Sequence, residues 1–152
     1  MKKWILSFSL LLALLFSACA PKQEEIPEEK VAALPAGIAM TVDTETITPE
    51  GASFLLLQTT DMELQYGEAY TLQSLQDHQW IDVPTIIEEY GFHDIAHILP
   101  KDTPQTLEID WAWLYGALPS GNYRLVKEFT DFRSSDSFDL YTITAAFTIA
   151  EK

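Results

Sequence analysis

Two histidines, His93 and His97, stand four residues apart. On a helix that spacing turns two imidazoles toward one metal ion. On a strand it sets them about 13 Å apart along one face. The surrounding Phe92–Leu99 segment reads as a strand, and no HExxH glutamate follows His93. Zinc needs three or four converging ligands, so the pair is expected to hold no metal. Asp131, Asp136 and Asp139 cluster in the segment DFRSSDSFD. Calcium favours such oxygen-rich loops, but the EF-hand spacing and its glycine are missing. The expectation is a solvated acidic loop, with Arg133 neutralising part of its charge. His78 is expected to sit exposed in a turn.

Other chemistries find less support. Ser53, Ser74, Ser120, Ser134, Ser135 and Ser137 lack a G-x-S-x-G or S-x-x-K setting. Glu88 and Glu89 are adjacent, and adjacent side chains do not face each other on a helix or a strand. No glycine-rich phosphate loop occurs. The single cysteine, Cys19, excludes an internal disulfide framework and a cysteine-based zinc site. The expectation is a protein that is not an enzyme, with no cofactor, no metal and no catalytic residue. Trp111, Trp113 and Tyr115 could form an aromatic platform for a sugar or a peptide. Alternation points Trp111 into the core, where large aromatics belong, and Trp113 is the residue considered for exposed recognition.

The elements that must position these residues are strands. The chain has 152 residues, enough for one domain, and 47% are hydrophobic, enough for a core. Tyr141, Ile143, Ala145, Phe147 and Ile149 alternate with Thr142, Thr144, Ala146 and Thr148. That is an apolar row against a threonine-rich row, the period of a half-buried strand. Leu107, Ile109, Trp111 and Trp113 alternate with Glu108, Asp110 and Ala112. Tyr123, Leu125 and Phe129 share a face, with Lys127 as the exception. Phe54–Leu57 is apolar on both faces and suits a central strand.

Turn signals divide these runs. Pro49-Glu50-Gly51, Pro100–Pro104, Pro119–Asn122 and Ser134–Ser137 each separate two strand-like segments. Asp77-His78 marks a hairpin between Ala69–Gln76 and Gln79–Val83. Thr85–Tyr90 reads as a helical turn, and Trp111–Gly116 as ending in another. Gly121 is expected at positive φ. The sum is an all-β domain, an antiparallel sandwich or barrel of about seven to eight strands.

The N-terminus differs. Lys2 and Lys3 precede the apolar run Trp4–Phe16, which is too short to cross a bilayer comfortably. Small residues Ser17 and Ala18 follow, then Cys19, as a signal peptidase requires. Phe16-Ser17-Ala18-Cys19 resembles the lipobox of bacterial lipoproteins, with Phe16 where Leu is usual. The resemblance implies a signal peptide at 1–18, cleavage before Cys19 and a lipid on its thiol. Residues 19–37 carry Pro21, Pro27 and Pro35 with Glu24, Glu25, Glu28 and Glu29. They read as an acidic, proline-containing tether between the membrane and a domain at 38–152.

The run Trp111-Ala112-Trp113-Leu114-Tyr115-Gly116-Ala117-Leu118-Pro119-Ser120-Gly121-Asn122-Tyr123-Arg124-Leu125-Val126-Lys127 resembles a bacterial Ig-like domain family of secreted and lipid-anchored proteins, mainly Gram-positive. Tyr66-Gly67-Glu68-Ala69-Tyr70-Thr71-Leu72, Trp80-Ile81-Asp82-Val83-Pro84, Ile98-Leu99-Pro100 and the closing Ala145–Ile149 strand match other segments of its pattern. Lys101-Asp102-Thr103 replaces a Gly-led turn, so that turn is expected to differ. The resemblance implies an immunoglobulin-like antiparallel β-sandwich.

The net charge of −14 opposes nucleic-acid binding, which needs clustered Lys and Arg. The expected protein is lipid-anchored on the cell membrane and faces outside the cytoplasm. It serves as a binding or structural module, with an envelope protein or cell-wall ligand as partner. The loops 84–92 and 130–138 are the expected contact points. An extracellular protease inhibitor or stress-protective binder is the alternative.

Overall fold

The computed structural model describes residues 34–151. The expected signal peptide at 1–18, Cys19 and most of the 19–37 tether lie outside the described residues. Among the described residues nine strands run in chain order as β1 (Ile38–Val42), β2 (Gly51–Gln58), β3 (Leu64–Tyr66), β4 (Thr71–Gln76), β5 (Gln79–Asp82), β6 (His97–Leu99), β7 (Gln105–Asp110), β8 (Gly121–Ser134) and β9 (Ser137–Ile149). One helical turn, α1 (Ala112–Tyr115), lies between β7 and β8. Among the described residues no helix is long and apolar enough to cross a membrane.

The strands form two antiparallel sheets, the expected sandwich. The smaller has the order β1-β2-β7. The larger is organised by β8. Strand β9 pairs along one edge of β8, from Gly121 opposite Ile149 to Ser134 opposite Ser137. The other edge is shared: β4 pairs up to Val126, and β3 takes over at Thr130. Strand β5 extends β4, and β6 extends β3.

From Tyr141 onward the expected alternation of β9 holds, with Tyr141, Ile143, Ala145, Phe147 and Ile149 buried. Phe147 stacks on Trp111 at 5.1 Å and on Tyr123 at 5.8 Å, and meets Phe54 edge-on at 6.0 Å. It thus joins residues of both sheets. Burying each such ring contributes about 1.5–3 kcal/mol, which a domain without a disulfide requires. Strand β2 is central in its sheet, but Leu55 is 42% exposed. The two-sided burial expected for Phe54–Leu57 therefore fails, because nothing covers that position on the outer face.

The turns show how local chemistry sets the register. Asp77 and His78 both adopt positive φ, 48° and 65°, in a two-residue hairpin closed by Gln76 opposite Gln79. This is the geometry whose twist matches that of the paired strands. Asp102, in the turn that lacks a leading glycine, also adopts φ 55°. Aspartate is among the few residues that tolerate this region. Gly121 does not have positive φ, contrary to expectation. The positive-φ glycines are Gly37 and Gly116. Tyr123 explains the turn differently: its hydroxyl donates to Pro119 O at 3.0 Å and ties the start of β8 to the turn before it.

Thr85–Tyr90 forms no helical turn, and His93–Ala96 is irregular, so the strand expected from Phe92 shrinks to His97–Leu99. The segment instead crosses the molecule as a long connection held at intervals. One anchor is Ile86 N–H donating to Leu114 O at 2.8 Å.

Candidate functional site

Strand β7 ends at Asp110, and this decides where the aromatic residues point. Trp111 continues into the core and is fully buried, its Nε1 donating to Pro49 O at 2.7 Å. The chain then turns helically, so the period changes from two to about 3.6. Leu114 and Tyr115 rotate inward, and Trp113 rotates outward to 41% exposure. Two-residue alternation would have placed Trp113 beside Trp111. The helical turn separates them and leaves Trp113 exposed, as recognition would need.

Trp113 packs edge-on against Phe92 at 5.7 Å and Tyr90 at 6.3 Å. Tyr90 meets Phe92 at 6.0 Å, and Phe92 meets Tyr70 at 5.3 Å. Edge-to-face pairs of this kind hold an otherwise irregular segment in one arrangement. The Tyr70 hydroxyl donates to Asp110 O at 3.1 Å. Burial pushes its pKa well above the ordinary tyrosine value. The same segment carries exposed Ile86, Ile87, Ile95 and Ile98.

Beside this cluster lies a groove of about 720 Å³. Its floor includes Val126, Glu128, Thr130 and Phe132 of β8 and Leu140 of β9. Its wall includes Tyr90, Phe92, Asp94 and Ile95. The groove opens where the larger sheet is split. Tyr66–Tyr70 leaves the sheet opposite Lys127–Phe129, and the carbonyls of Gly67 and Ala69 lose ladder partners. Lys127 supplies them, its Nζ donating to Gly67 O at 2.6 Å and to Ala69 O at 3.1 Å. Lys127 lies on the core side and is 1% exposed, so the exception in the apolar row is a buried amine. Burial depresses its pKa to about 8, against a smaller upward pull from Glu68.

A larger groove of about 930 Å³ lies at one end of the sandwich, lined by Val42, Ile47, Leu118, Phe147 and Ile149 among others. Its only aromatic is Phe147, already committed to the core. The smaller groove collects exposed rings and carboxylates and is the better recognition site.

The same geometry fits one family. A family model described as a bacterial Ig-like domain matches residues 35–148. The chain belongs to the bacterial Ig-like domain family. No curated protein and no solved structure matches it.

Within this Ig-like domain the residues singled out by sequence are dispersed. His93 Nδ1 contacts Glu68 Oε2 at 2.9 Å, and His97 stacks on Tyr66 at 5.3 Å. The two imidazoles serve different partners. The hydrogen bond with His93 holds the Glu68 carboxyl below its usual pKa. His78 is exposed in the β4–β5 turn. The acidic loop expected at 131–139 is instead the end of the β8–β9 hairpin. Asp131 and Asp139 stand opposite each other, and Arg133 bonds both. Like charges across a ladder repel, and the guanidinium between them relieves this. Both expected contact segments meet in the groove, 84–92 through Tyr90 and Phe92, and 130–138 through Thr130 and Phe132. Sequence reasoning missed Asp94, Glu128 and the buried Lys127. The available signal was a basic residue inside an apolar row, at a position where alternation demands burial.

Proposed function

We propose that this Ig-like domain is a non-catalytic binding module of the cell envelope, anchored through a lipid on Cys19, whose partner docks at the aromatic groove. The observation that carries the docking site is the grouping of Tyr90, Phe92 and Ile95 along a groove beside the split sheet, with Trp113 packed against the two rings. Exposed apolar patches of this kind mark interaction surfaces, and end loops and irregular connections are where sandwiches present them. The lipobox-like segment ending at Cys19 supports the anchor, and the net charge of −14 suits an aqueous envelope space.

Two experiments test the two parts. Labelling with radioactive palmitate is expected to mark the full chain, and Cys19→Ala is expected to abolish the label and to release the protein or leave it unprocessed with residues 1–18 attached. Label surviving that change refutes the anchor. A photocrosslinking residue at Ile95, on the groove, is expected to give a discrete adduct in intact cells. The same residue at Leu55, exposed on the other sheet, is expected to give none. Equal adducts at both positions, or none at Ile95, refute the docking site.

A further inference from the structure

We infer that the groove accepts a cationic side chain, lysine or arginine, carried on a peptide segment of the partner. This rests on the binding-module reading and adds the chemistry of what is bound. The charged residues that line the groove are Asp94 and Glu128, both acidic and both exposed. No basic residue lines it. Of its rings, Tyr90 and Phe132 are exposed, while Tyr66, Tyr70 and Phe92 are packed against neighbouring side chains. Aromatic faces attract a cation through their quadrupole, and carboxylates attract it through charge. Val126, Ile95 and Leu140 offer apolar surface to the methylene stem of a lysine or arginine, whose charged head prefers a polar exit.

The protein already uses this chemistry on itself. The Lys127 ammonium lies 5.4 Å from the centre of the Tyr66 ring and on the carbonyls of Gly67 and Ala69. Those three residues also line the groove, from the other side. Lys127 faces the core, and its donors are committed to those carbonyls. The groove's 720 Å³ exceed what one lysine or arginine side chain fills, so the cation arrives on a longer segment. The net charge of −14 draws such a segment in from a distance.

The test is calorimetric titration of the full chain, in neutral detergent micelles, with terminally blocked tetralysine. Blocked tetraserine, blocked tetraglutamate and tetramethylammonium serve as comparison probes. Binding of tetralysine above all three is expected. Asp94→Asn with Glu128→Gln is expected to weaken it at least tenfold. Glu45→Gln with Asp77→Asn removes the same charge far from the groove and is expected to change affinity less than twofold. Equal weakening by both pairs, unchanged affinity in the groove pair, or equal binding of tetraserine or tetramethylammonium overturns the inference. So does absence of tetralysine binding. The Ile95 photocrosslink separates this from the module reading. An adduct that persists in the Asp94→Asn, Glu128→Gln chain leaves the docking site standing and removes the cation; no adduct in the wild type removes the docking site itself.

Discussion

Lys127 makes a quantitative demand on the pH dependence of stability. Its folded pKa is about 8, depressed from 10.5 mainly by burial. A depressed lysine pKa means that the unfolded chain binds the proton more tightly than the folded one. Between the two values the unfolded state carries more protons, so stability rises with pH. At pH 7 the amine is almost fully charged in both states and little has been gained. At pH 9 the folded amine is about 90% neutral, while the unfolded one remains almost fully charged. Linkage then gives a gain of about 1 kcal/mol between pH 7 and pH 9. The neutral amine keeps two N–H groups, enough for Gly67 O and Ala69 O, so the bonds need not be lost. Ordinary tyrosines titrate near 10, so they add little below pH 9. The perturbation is Lys127→Met, and the assay is urea unfolding at pH 7, 8 and 9. The difference in stability between wild type and variant is expected to shift by about 1 kcal/mol in favour of the wild type across that range. Because slopes are compared, whatever the substitution does at neutral pH cancels. Parallel pH profiles for the two proteins would refute the placement of a protonated amine in the core.

Two backbone-level predictions accompany it. Gly116 ends α1 at φ 74° and ψ −178°, a region only glycine enters easily, while an added Cβ would meet nothing closer than 3.9 Å. Gly116→Ala is therefore expected to cost about 1–3 kcal/mol through the backbone alone, and an unchanged melting temperature would count against that conformation. Tyr123→Phe removes the donor to Pro119 O while keeping the ring on Phe147, and about 1 kcal/mol of lost urea stability is expected. A neutral effect would mean that this hydroxyl prefers water to the turn.

The strands were legible where one physical rule acted alone. In β9 every second residue is apolar, the partner face is solvated, and alternation gives the burial directly. At Asp77-His78 the turn was legible because two strand-like runs leave just two residues to reverse the chain. The site was legible only in pieces, because it arises where rules compete. Strand periodicity put Trp113 beside Trp111, but α1 takes over at Ala112 and turns it outward. The histidine spacing was read on a strand from Phe92, but the backbone at 93–96 is irregular, and His93 meets Glu68 while His97 meets Tyr66. Lys127 broke the apolar row of β8 for a reason that lies 58 and 60 residues upstream, in the carbonyls of Ala69 and Gly67. Those carbonyls lack partners because β8 outlasts β4 and must share its edge with β3. A long strand beside two short ones leaves a gap, the gap strands two acceptors, and a lysine from the long strand fills them. The groove that holds Asp94 and Glu128 opens at that gap. The feature that looks most anomalous in the pattern of β8 is thus the one that places the candidate site.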